Sequence, residues 1–137
     1  MRAHCLNLLA VLGLFAGCST ISTYDQAAYE HATNAKVDAL ALMDKATADY
    51  SAYREEIATV DLELKKAYEY DKGRPLNERT LQQWDVMMNP ERDLFAGFLR
   101  DWERKGHFKP VALTERKSKV AEGFDQIIGL ESGKLKP

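Results

Sequence analysis

Apolar residues between positions 24 and 72 recur at Ala35, Ala39, Leu42 and Ala46, then at Tyr53, Ile57, Val60, Leu64 and Ala67. Steps of four and three residues place them on one helical stripe close to the 3.5-residue repeat. The segment contains neither Gly nor Pro and is rich in Ala, Glu, Lys, Leu and Asp. The pattern predicts one long amino-terminal helix that either projects as a stalk or bends near Thr47–Ser51, where the repeat lands on Asp49. Such a helix would span roughly 70 Å, at about 1.5 Å per residue.

Punctuation is clear further on. Lys72-Gly73-Arg74-Pro75 supplies a glycine suited to a left-handed cap and a proline that cannot continue the helix. Asn77 or Thr80 can open the next helix, Thr80 and Gln83 having capping-box spacing, with Leu81, Trp84 and Met88 on one face. Asn89-Pro90-Glu91 reads as a restart: a cap residue, a proline and an acid. Leu94, Phe95, Phe98, Leu99 and Trp102 then form an apolar face, ended by Gly106. A last helix opens at Pro110–Thr114, carries Val120, Phe124, Ile127 and Ile128, and ends at Gly129 or Gly133.

No run of period-two alternation interrupts this pattern, so the expected class is all-α: a long amino-terminal helix packed with about three shorter helices in a bundle. The helical domain is expected over 24–131, with a frayed tail at 132–137.

The first residues follow a different rule. Arg2 provides positive charge, Leu6–Phe15 is apolar except for Asn7, and Ala16-Gly17 are small and precede Cys18. This is the three-part layout of a secretory signal, and its ten-residue apolar stretch is too short to span a bilayer as a helix. Leu14-Phe15-Ala16-Gly17-Cys18 resembles the lipobox of bacterial lipoproteins, with Phe15 standing where Leu is usual. The resemblance covers residues 1–18 only. It implies removal of residues 1–17, a lipid on Cys18, a tether at 18–23 and attachment to the envelope membrane. Ser19 in place of Asp implies the periplasmic side of the outer membrane.

Cleavage there leaves one domain of ordinary size with Cys18 as its one cysteine, so no internal disulfide can form. Residues 18–71 hold eleven acids and five bases, and residues 72–137 ten acids and thirteen bases. The whole chain carries a net charge of −2, which argues against nucleic acid as a partner.

Chemistry-bearing motifs are scarce. The chain has no Gly-x-Ser-x-Gly elbow, no His-x-x-x-His or Cys-x-x-Cys pair and no phosphate-cradling glycine loop. No catalytic residue, metal or cofactor is expected. Arg100, Arg104, Lys105, Lys109, Arg116, Lys117 and Lys119 flank the turn at 106–110 and are candidates for contact with a partner or an anionic surface. Trp84 and Trp102 are candidates for an apolar ligand slot between helices. Alanines at 35, 39 and 46 permit close helix approach, so a homo-oligomer is a further expectation. The functional expectation is a membrane-anchored, non-enzymatic scaffold that docks an envelope protein. The alternative is a carrier of an apolar or aromatic ligand.

Overall fold

The structure, a computed structural model, describes residues 21–134. Among them are five α-helices and no strand: α1 Gln26–Met43, α2 Arg54–Lys72, α3 Glu78–Met88, α4 Phe95–Lys105 and α5 Pro110–Ser132. The all-α class is as expected, but the long first helix is not one helix. Residues 44–49 form a turn, Tyr50–Tyr53 a short 3₁₀ segment, and α2 returns antiparallel to α1. At the open end of this hairpin the His31 and Tyr70 rings meet edge to face at 4.8 Å, and the Tyr70 hydroxyl donates to Asp25. The longest helix is α5, at 23 residues.

Neither Gly nor Pro breaks the helix; distant residues capture its carbonyls. The Ala46 carbonyl accepts from the Phe108 N–H at 2.7 Å, and the Ala48 carbonyl from the Trp102 indole N–H at 3.0 Å. The Tyr50 N–H donates to the Gly106 carbonyl at 2.9 Å. Asp49 then caps the new start, accepting from the Ser51 N–H at 2.9 Å. Gly106 sits at φ +80, a left-handed conformation in which a side chain would be strained.

The stripe predicted from the sequence is the core. Ala28, Ala32, Ala35, Ala39, Leu42 and Ala46 are buried along α1 and the turn, and Ile57, Val60, Leu64 and Ala67 along α2. Small side chains let α1 lie close to both α2 and α5. Antiparallel pairing of α1 with α5 is marked by the ion pairs Lys36–Asp125 and Asp44–Lys117. α3 completes the fourth side, its Trp84 ring edge-on to Phe124 at 6.2 Å. α4 closes the end holding the hairpin turn, where Phe98, Tyr50 and Tyr53 surround Trp102 and Phe108 stacks on Phe98.

Asn89-Pro90-Glu91 forms a single turn instead of opening a helix: Asn89 Oδ1 accepts the Glu91 N–H and its carbonyl the Arg92 N–H. α4 starts only at Phe95. A Cβ on Gly97 would collide with the Arg92 carbonyl, so the absence of a side chain allows this turn to fold onto α4. Among the described residues no helix is long and apolar enough to cross a membrane.

Candidate functional site

The end of the bundle where the described chain begins is held by charge. Glu131, 1% exposed, accepts from Arg74 Nη1 at 2.8 Å and Nη2 at 3.1 Å, from Lys134 Nζ at 2.6 Å and from the Asp25 N–H at 2.7 Å. Asp71, also buried, accepts from Arg74 Nη1 at 3.0 Å, from Asn77 Nδ2 at 3.1 Å and from the Trp84 indole N–H at 2.7 Å. Lys134 also donates to Asn77 Oδ1 at 2.6 Å. Two carboxylates therefore face two cations, and α2, the α2–α3 loop, α3, α5 and the segment before α1 are tied in one neutral network. Such a network is tolerable in a low-dielectric interior only when every member is paired.

The local sequence explains how these groups arrive. α2 ends at Lys72 with Gly73 at φ −72, an ordinary right-handed value, so this glycine is not the left-handed cap expected. The left-handed residue is Leu76, at φ 56. Its carbonyl accepts the Ser22 N–H at 2.9 Å, and Arg74 Nη2 donates to the Thr23 carbonyl at 2.6 Å. Asn77 is placed before α3 but makes no side-chain capping bond; its amide goes to Asp71 instead. Asp25 does cap α1, accepting the Ala28 N–H at 2.9 Å. Lys134, assigned from the sequence to a frayed tail, is 8% exposed and fixed by these bonds.

Burial pushes the Glu131 carboxyl up, but the hydrogen bonds from Arg74, Lys134 and the Asp25 N–H outweigh it, and its pKa falls below the usual glutamate range. Arg74 shows the mirror case: burial lowers it, and its bonds to Glu131 and Asp71 more than restore it.

The basic set predicted near 106–110 is brought together, but around acids. Buried Asp101 accepts from Arg100 Nη2 at 3.0 Å, Arg104 Nη2 at 3.1 Å and Arg116 Nη2 at 2.5 Å. Arg116 and Lys119 also pair with Asp93, and Lys117 with Asp44. Lys105 lies over the Phe108 ring. Of the seven, Lys109 alone makes no ion pair or cation–π contact among the described residues. Five of the seven cations are thus paired with carboxylates, and the clearest work of these pairs is joining α4, α5 and the loop before α4.

Trp84 and Trp102 are both 0% exposed and lie in separate parts of the core, each indole N–H satisfied. Clefts on the surface are lined by other residues. One of about 340 Å³ lies over His31, Asn34, Val37, Asp38, Glu63 and Lys66. Another of about 240 Å³ lies beside the charged network, over Ile21, Leu76, Glu78, Arg79 and Leu130. Among the described residues no group of His, Cys, Asp and Glu is arranged to hold a metal ion. Cys18, the lipidation candidate, lies outside the described residues.

The network was not visible in the sequence. Asp71 and Glu131 belong to no motif there, and only Lys72-Gly73-Arg74-Pro75, read as a helix end, marked the region. The chain matches no family model, and neither curated proteins nor solved structures provide a match, so any function must be argued from these residues alone.

Proposed function

We propose that the protein is an envelope lipoprotein, anchored by lipid on Cys18 at the periplasmic face of the outer membrane, whose helical bundle serves as a non-enzymatic docking scaffold. The observation that carries this reading is Ala16-Gly17-Cys18 after the apolar stretch Leu6–Phe15. A lipoprotein carries several acyl chains, and two or more give stable anchoring. The arrangement just downstream supports the reading: Ser22 is already buried and bonded to Leu76, so a lipid on Cys18 would be joined to a fixed point of the bundle. Buried charge clusters at both ends of the bundle, around Glu131 and around Asp101, join separate segments of the chain, which suits a rigid scaffold.

Two experiments test the two halves. Cells expressing the full chain are fed an alkyne fatty acid; label appears on the protein and disappears with Cys18→Ala. An unlabelled protein overturns the anchor. Photoreactive residues at Tyr53, Arg104 and Lys117 of the full chain then yield a discrete protein adduct from at least one position. A hydrolytic or transferase activity that is lost on changing one polar side chain overturns the scaffold.

A further inference from the structure

The cleft beside the charged network contains the residue of the fold that ordinary packing explains least. Leu76 is held at φ 56, a backbone region that L-residues with large side chains avoid, yet its side chain is left 47% exposed. The strain is not compensated by burial in the core. Instead the left-handed turn points an aliphatic group outward, next to Ile21, itself 41% exposed, and to half-buried Leu130. Together they border the cleft of about 240 Å³, with Glu78 and Arg79 on its edge. Arg79 makes no ion pair among the described residues. The floor is rigid, because Asn77, Thr80 and Lys134 beneath it belong to the buried network.

Chain length fixes what this cleft can meet. Cys18 is three residues from Ile21, so however those residues run, the cleft lies within about 10 Å of the cysteine. The opposite end of α5 is about 35 Å farther away, at 1.5 Å per residue. Resting on the lipid anchor of Cys18, we infer that this cleft is a membrane-docking surface. Ile21, Leu76 and Leu130 enter the interfacial zone of the leaflet that holds the anchor, with Arg79 at the level of the lipid phosphates. The bundle then stands end-on, with the turn at 106–110 facing away from the membrane. A patch this small would not bind a bilayer unaided. The tether supplies a high effective concentration, which makes a weak contact sufficient.

The test uses tryptophan at the cleft and at the far end. The full-length chain carrying Ile21→Trp, or Val111→Trp as the distal control, is produced in a bacterium and recovered from the envelope. It is reconstituted into vesicles of phosphatidylethanolamine and phosphatidylglycerol with brominated acyl chains. Native Trp84 and Trp102 are fully buried and give a constant background. The Ile21→Trp variant loses emission relative to unbrominated vesicles, and the Val111→Trp variant does not. Adding Leu76→Gly, which removes the side chain and relieves the left-handed strain, weakens the loss. Equal quenching at both positions, or none at position 21, overturns the proposal; the latter is also what a protein partner covering the cleft would give. The mass of the Cys18 peptide is read separately. If it carries no lipid, the anchor reading fails, and coupling its thiol to a maleimide lipid restores the tether so that the contact itself is still decided.

Discussion

Replacing Glu131 by Gln asks the most of the charged network with the least change of shape. Glutamine keeps the size and one oxygen acceptor but removes the negative charge that faces Arg74 and Lys134 at 2.6 to 3.1 Å. Arg74 then keeps Asp71 as its bonded carboxylate, while Lys134 keeps only the neutral oxygens of Asn77 and Thr80. Breaking a buried pair by removing one partner costs about 3–5 kcal/mol. Arg74 retains 10% side-chain exposure, which admits some water, so the lower end, about 3 kcal/mol, is expected. Urea unfolding followed by the fluorescence of Trp84, which is bonded to Asp71, reports the loss. The midpoint falls by about 1–3 M with an unchanged slope of roughly 1–3 kcal/mol per molar. Acid adds a second reading. The Glu131 pKa is lowered in the folded state, so its contribution is full above the ordinary glutamate pKa and is lost as pH falls through the lowered value. The stabilities of Glu131→Gln and the parent therefore converge on acidification. A loss below about 1 kcal/mol at neutral pH, or curves that stay parallel into acid, would refute the charge argument.

Other substitutions probe the rest of the frame. Gly97→Ala forces a methyl into the Arg92 carbonyl and lowers stability by about 2–3 kcal/mol in thermal melts, as overpacking does. Trp102→Phe leaves the Ala48 carbonyl without its donor and opens space beside Tyr50 and Tyr53; a loss of about 2–3 kcal/mol is expected in the same assay. Leu76→Gly removes a side chain yet relieves about 1 kcal/mol of left-handed strain, so stability holds; a fall of more than about 1 kcal/mol would show that the side chain packs. Lys117→Ala breaks an exposed pair with Asp44 and changes stability by less than about 1 kcal/mol.

The helical class and most of the core were legible because burial writes a period into the chain. Every alanine and aliphatic residue of the predicted stripe, from Ala35 to Ala67, is buried. The break between α1 and α2 was not legible, because the groups that make it, Trp102 and the Gly106–Phe108 backbone, lie more than fifty residues downstream. Only the slip of the repeat at Asp49 hinted at it. Gly73 was the natural choice for the left-handed position, yet Leu76 takes it, against intrinsic preference, with its carbonyl accepting the Ser22 N–H. Charges were hardest to place. Asp101, an acid within the basic set, proves to be its centre, while Glu131 and Lys134, at the margin of an expected fraying tail, are buried. The two tryptophans, read as a ligand slot, are separated within the core. Position along a chain tells which residues are charged, but not which opposite charge the fold will bring to them.

The bonds that close the α1–α2 turn also bear on the order of folding. An ordinary helical hairpin is a local motif, able to form as soon as its two arms exist. Here the turn borrows its partners from residues 102–108, so its last bonds wait until most of α4 has been made. Sequence separation, rather than helix propensity, then sets the slow step, and this helical chain is expected to fold more slowly than bundles whose turns are self-contained. In refolding followed by pulsed hydrogen exchange, the Tyr50 and Phe108 amides gain protection together, after the amides within α2 and α5.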